Sequence, residues 1–166
     1  GGGRRALAVL GAVAAALAAL LALAPHRLLP PSGRLWLVVL DVGQGDALAL
    51  GFEDCWWLVD AGPRGPRFDA GERVVLPFLR WTGAARLDAL VLTHDDSDHT
   101  GGAPAIARGI GIARRLGPPS FAGVAGPGPR FGLSPIGRGD RLRARPALEV
   151  LWPPHTEAPG APCGRG

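Results

Sequence analysis

The sequence predicts an α/β protein in which helices flank mixed sheets. Two observations carry this. Apolar runs of six or seven residues, separated by tight glycine turns, fill the region after residue 34. A single stretch at helical spacing, GERVVLPFLRWTG (71–83), then separates these runs from the next apolar run. Sheet, helix, sheet order implies packed layers.

The elements follow in order. Strands are expected at 35–41 and 46–52, joined by VGQGD, and at 55–60, ending in Asp60 before a turn at Gly62. Short strands with such turns form an antiparallel meander. Within 71–83, Val74, Val75, Phe78 and Leu79 share one helical face, and Pro77 should bend the helix. A strand at 87–92 leads into the stretch THDDSDHTGG. GGAPAIARGI reads as a short helix, with Pro104 tolerated in its first turn. Further strands are expected around 121–124, 141–144 and 147–152, and the Pro/Gly-rich end predicts no structure. Cys55 reads as core, and Cys163 lies in the tail; neither belongs to a CxxC pair or a disulfide framework.

Residues 6–24, ALAVLGAVAAALAALLALA, carry no charge. As a helix the run would extend ~28 Å, close to the ~30 Å hydrocarbon core of a bilayer. Arg4 and Arg5 precede it, and Pro25 ends it and opens a linker over 25–34. Three readings fit: a transmembrane helix over 5–24, a signal peptide cleaved after Ala22-Leu23-Ala24, or a buried Ala-rich helix. Pro25 is unfavourable immediately after a cleavage site, which favours the first. The Arg4-Arg5 pair then puts the N-terminus in the cytoplasm and the rest outside.

All 18 basic residues are Arg, and Lys, Met and Tyr are absent. This is a codon-bias pattern, so the net charge of +4 is weak evidence for a polyanionic partner. Its distribution says more. Residues 41–100 hold 11 acids and 5 Arg, whereas 108–145 hold 8 Arg and only Asp140. A cation site beside a basic surface suits a nucleic acid; solvated Arg faces are the plainer alternative.

Two histidines and three aspartates fall within residues 94–99. Carboxylates held this closely disfavour one another's ionisation, and a bound cation removes the conflict. His94, Asp96 and Asp98 alternate, so an extended loop would aim them to one side. Adjacent Asp98 and His99 point differently and could serve a second metal about 3.5–4 Å away. An acidic helix cap by Asp96 or Asp98 is the plainer reading, but it needs one acid and no histidine.

THDDSDHTGG resembles the H-x-[HD]-x-D-H signature of the metallo-β-lactamase superfamily. Together with LDVGQGDALAL, WLVDAG and VVLPFLRWTGAARLDALVLTHDDSDHTGG, it resembles the C-terminal domain of the ComEC family of competence proteins, over roughly residues 35–153. The resemblance implies an αββα sandwich after a last transmembrane helix, with residues 35–166 as the N-terminal part of the domain. It implies His94 and Asp96 as ligands of one metal and Asp98 and His99 as ligands of the other. Asp98 would also orient the nucleophilic water, and so be catalytic. Asp60 matches a conserved aspartate that orients the loop from behind the ligands; a simple strand-end turn residue is its alternative. Gly43, Gly45, Gly62, Gly101 and Gly102 match backbone positions where turns approach closely, and Gln44 and Asp46 are given structural roles. The family continues, after a later strand, with a GD and then an HHGS that supply further ligands; no HHGS occurs before Gly166, and His155 stands in a different context.

The function implied is metal-dependent hydrolysis of DNA phosphodiesters, on the strand that is not taken up. It would occur at the outer side of a bacterial cell membrane, with the rest of the competence channel as partner. Asp at position 96 favours Mn²⁺, or Mg²⁺, over Zn²⁺. Hydrolysis of another substrate class, or a non-catalytic module at the entrance of a DNA channel, are the alternatives. The chain by itself is expected to bind metal weakly and to cleave slowly or not at all.

Overall fold

The computed structural model describes residues 2–23, 30–123, 131–142 and 147–152. Its frame is a six-stranded mixed sheet. Strands β1 (Leu35–Val39), β2 (Leu48–Phe52) and β3 (Cys55–Val59) form the antiparallel meander expected from the glycine turns. Then β3 pairs in parallel with β5 (Ala89–Val91), and β5 in parallel with β7 (Arg115–Gly117). The edge is β8 (Ser134–Pro135), giving the order β1-β2-β3-β5-β7-β8.

The expected strand 87–92 is split. Arg86–Leu87 (β4) pairs with Gly111–Ile112 (β6), while Ala89–Val91 joins the main sheet. The break falls at Asp88, whose carboxylate accepts the Trp56 backbone N–H at 3.1 Å. The helix expected over 71–83 is also in two parts: a π-turn, Gly71–Val75, and then α2, Leu76–Trp81. Pro77 has no N–H to donate, so it sits in the first turn of α2, where none is needed. The register change is made just before it, by Leu76 N–H bonding back to Gly71 O. The strand expected around 121–124 is instead a 3₁₀ turn, Pro119–Gly123, with residue 124 outside the described residues. Phe121 is buried, so its apolar signal marks a core plug rather than a strand.

Two faces of the sheet are packed differently. Alternation along β3 sends Trp56 and Leu58 to one side, where Val75, Leu76, Leu79 and Ile106 cover them. Those residues belong to the π-turn, to α2 and to α4 (Ala103–Gly109), the short helix read from GGAPAIARGI. Trp57, Ala89 and Leu116 face the other side, against Leu142 and Leu148. These come from the hairpin β9 (Arg141–Leu142) and β10 (Leu148–Glu149), shorter than the strands expected there. The result is a helix layer, a sheet and a small second β layer. Leu35, Leu37 and Val39 of β1 stay exposed on the hairpin side.

Helix α1 spans Gly2–Leu23. Among the described residues no helix is long and apolar enough to cross a membrane. The transmembrane span expected over 5–24 is therefore not supported by the fold, and most of the linker at 25–34 lies outside the described residues. Cys55 is half-buried at the start of β3 rather than in the core, and burial is the first of the influences that raise its thiol pKa. Cys163 and His155 lie outside the described residues.

Candidate metal centre

Parallel pairing of β3 and β5 brings Val59 level with Val91, so the chain leaves both strands at one end of the sheet. In α/β sheets that carboxyl end is where ligands bind. Asp60 leaves β3 there, and Thr93-His94 leaves β5. A one-turn helix, α3 (Ser97–Thr100), then holds Asp98 and His99.

Asp60 is the hub. It is buried, and its φ is +58°, a left-handed conformation that L side chains seldom adopt. Its backbone N–H donates to Val91 O at 2.8 Å. Its Oδ1 accepts Thr93 N–H at 2.8 Å, and its Oδ2 accepts the Thr93 hydroxyl at 2.7 Å and lies 2.9 Å from His99 Nδ1. Both oxygens are thus engaged. The following turn ties in the other loops. Ala61 N–H bonds His99 O at 2.7 Å, Gly62 N–H bonds Asp46 O at 2.8 Å, and Gly102 N–H bonds Gly62 O at 3.0 Å.

Donor bookkeeping fixes both neutral imidazoles. The Thr93 hydroxyl spends its hydrogen on Asp60, so at 2.9 Å from His94 Nδ1 it can only accept. Nδ1 of His94 therefore carries the proton. His99 Nδ1 faces a carboxylate and carries it too. Each ring is left with a lone pair on Nε2. His94 Nε2 lies 3.3 Å from Asp96 Oδ2, and His99 Nε2 lies 3.9 Å from Asp98 Oδ2. The two ring centroids are 3.9 Å apart. One ligand atom from each of Asp60, His94 and His99 can be chosen so that all lie within 4.8 Å of one another. Imidazoles oriented through Nδ1, with Nε2 left free beside a carboxylate, are the arrangement that metal-binding histidines need.

Of the cap alternative, Asp98 does lie in the first turn of α3, but the capping hydrogen bond is absent. Asp96 occupies the N-cap position of α3, yet its side chain makes no capping hydrogen bond. Its backbone carbonyl accepts from Thr100 N–H and Thr100 Oγ1, and the carboxylate is exposed beside His94. Asp98 is half-buried and lines an open cleft with the GQG turn.

Two contributors were not legible in the sequence. Thr93 follows the strand expected at 87–92 with no signal of its own, and only the fold shows that it links Asp60 to His94. Asp46, expected to be structural, also brings Oδ2 to 3.7 Å from His99 Nδ1. The glycines behave as expected at the closest approach. Gly45, at φ +122°, packs on the backbone carbonyl of Asp98 with no room for a Cβ. Gly45→Ala is expected to cost about 2–4 kcal/mol, from strain plus displacement of the Asp98 backbone. A urea midpoint within error of the parent would contradict this contact.

The pKa of His99 is raised. Burial, the largest single influence, lowers it; the hydrogen bond to Asp60 and the charges of Asp60, Asp98 and Asp46 together outweigh burial. A raised folded-state pKa stabilises fully below the unfolded value, about 6.5, and that stabilisation is lost as pH rises through the folded value. In EDTA the parent is therefore expected to lose stability on going above about pH 6.5, in a step that His99→Asn lacks. An identical pH profile for the two proteins would refute the assignment.

Three of the eight Arg of the basic half make contacts within the described residues. Arg114 stacks over Trp57 at 4.9 Å, Arg115 over Phe131 at 5.0 Å, and Arg141 pairs with Glu149 at 3.4 Å. Arg130, Arg143 and Arg145 lie outside the described residues.

A mixed sheet with a His/Asp cluster at the carboxyl end of two parallel strands defines a class, and the chain belongs to the metallo-beta-lactamase superfamily, which matches residues 40–161. Within that class its relatives include a competence protein and a recombination protein. It is similar to ComE operon protein 3 of Bacillus subtilis (33% identity, covering 50% of this chain and 12% of the relative). It is also similar to competence protein ComA of Neisseria gonorrhoeae (35%, covering 47% and 11%). Recombination protein 2 of Haemophilus influenzae is 39% identical, over 44% of this chain and 9% of the relative. The matches are consistent with a ComEC-like domain, and the chain spans about a tenth of the length of these relatives.

Proposed function

We propose that the domain is a divalent-metal hydrolase of DNA phosphodiesters in a competence system, with His94, Asp96, Asp98 and His99 as metal ligands. The observation that carries this is the pair of Nε2 lone pairs, each set by a hydrogen bond at Nδ1 and each beside a carboxylate. The residues fit a metal, since nothing within the protein uses the Asp96 carboxylate as a cap. His94 and Asp96 would hold one ion, and Asp98 and His99 the other. Divalent ions here would lower the pKa of a bound water and stabilise charge on an attacked phosphate. Asp96 supplies a hard oxygen ligand, which favours Mn²⁺ or Mg²⁺ over Zn²⁺. Asp60 positions His99 directly and His94 through Thr93. Asp98, at the edge of the cleft, is the carboxylate able to orient a water toward a substrate. DNA as substrate rests on the names of the relatives, competence protein and recombination protein.

Thr93→Val tests the positioning chain. It removes the acceptor for His94 Nδ1–H and one donor to Asp60. Mn²⁺ affinity by calorimetry is expected to fall roughly tenfold or more, with Thr93→Ser restoring it. Unchanged affinity in the valine variant would refute the relay.

We place the domain at the outer face of a bacterial membrane, beside the rest of the channel. The support for membrane association is α1, whose Leu7, Leu10, Val13, Leu17 and Leu20 are all more than half exposed; the side follows from the Arg4-Arg5 pair. The protein is expected to sediment with membranes and to need detergent for release. Recovery in the soluble fraction without detergent would contradict this placement.

A further inference from the structure

Beside the metal centre lies an open cleft of about 720 Å³, within the size range of small-molecule sites. Val42, Pro63, Phe68 and Val74 supply its apolar surface; Asp98 stands on its edge, with Asp41 and the exposed Gln44. The cleft therefore runs from an aromatic ring to a proposed metal ligand.

Phe68 is 39% exposed, although it sits on a braced loop. Gly65 N–H bonds Phe68 O at 2.7 Å, Ala70 N–H bonds Pro63 O at 2.9 Å, and Arg64 pairs with Asp69 at 3.4 Å. The backbone is held while the ring is left uncovered. Aromatic rings presented this way are stacking platforms, and every nucleobase has a face to stack.

Charge decides which part of a nucleotide fits. Carboxylates of Asp41 and Asp98 border the cleft, so a bare phosphate would meet repulsion there. An uncharged planar ring would not, and the Gln44 amide offers both a donor and an acceptor to its edge.

We propose that this cleft is a nucleobase subsite. It takes the base next to the phosphodiester presented to the His94–His99 centre, with the base lying on Phe68. The inference rests on the phosphodiester reading and adds the base as a recognised group.

The test is competition binding by the protein. A fluorescent single-stranded oligonucleotide is displaced either by an unlabelled oligonucleotide of the same length or by its abasic backbone. The parent is expected to prefer the base-bearing competitor roughly tenfold. Phe68→Leu, which keeps apolar bulk, and Phe68→Ala should both lose the preference, and Phe68→Trp should keep it. Abasic binding should be unchanged in all three. Equal displacement by the two competitors in the parent would overturn the subsite and leave the phosphodiester reading standing. A preference that survives in both Phe68→Leu and Phe68→Ala would also overturn it. Failure of both competitors to displace, or of the labelled strand to bind, would overturn both readings together.

Discussion

Asp98→Ala is expected to abolish Mn²⁺-dependent phosphodiester cleavage by the intact protein, a loss of at least about a thousandfold in kcat. The carboxylate stands 3.9 Å from His99 Nε2, at the edge of the cleft. Removing it takes away a ligand of one ion and the group placed to orient the attacking water. Its backbone should stay in position, because α3 is held by Asp60, Ala61 and Gly45 contacts that do not involve the Asp98 carboxylate. Thermal stability in EDTA should therefore be near that of the parent. Asp98→Asn is the sharper variant, since it keeps the volume and loses the charge. Undiminished cleavage by either variant would remove the mechanism.

The second large effect belongs to Asp60. Asp60→Ala is expected to destabilise the metal-free fold by about 3–5 kcal/mol and to weaken Mn²⁺ binding by about a hundredfold. Three donors, Thr93 N–H, Thr93 O–H and His99 Nδ1–H, converge on its two oxygens. Alanine leaves them without that acceptor and also strains at φ +58°. Asp60→Gly separates the two causes, because glycine accepts the backbone angle at no cost. It should recover about 1 kcal/mol of the stability and none of the metal affinity. Full recovery of affinity in Asp60→Gly would show that Asp60 is only a turn residue.

The loop at 94–99 was readable because metal chemistry needs imidazole and carboxylate together, and few other local roles do. The meander was readable because VGQGD and the turn after Phe52 interrupt clean apolar runs. Thr93 was not, because a threonine at a strand end is ordinary; its role exists only once Asp60 arrives from 33 residues away. The parallel strand Arg115–Gly117 was missed because Arg115 hides the pattern by burying its stem against Phe131. The split of 87–92 depends on Asp88 bonding to Trp56, again a tertiary contact. Local pattern thus located the His/Asp loop, and long-range pairing decided how its side chains are aimed.

The central claim is that His94 and His99 turn Nε2 toward bound divalent metal. Pulsed electron paramagnetic resonance of the Mn²⁺-loaded protein reads this directly, as nitrogen modulation from coordinated imidazole. The account predicts ¹⁴N modulation in the parent, its reduction in His94→Ala or His99→Ala, and its loss in the double variant. Mn²⁺ bound with no ¹⁴N modulation, or with the same modulation in the double variant, would contradict it.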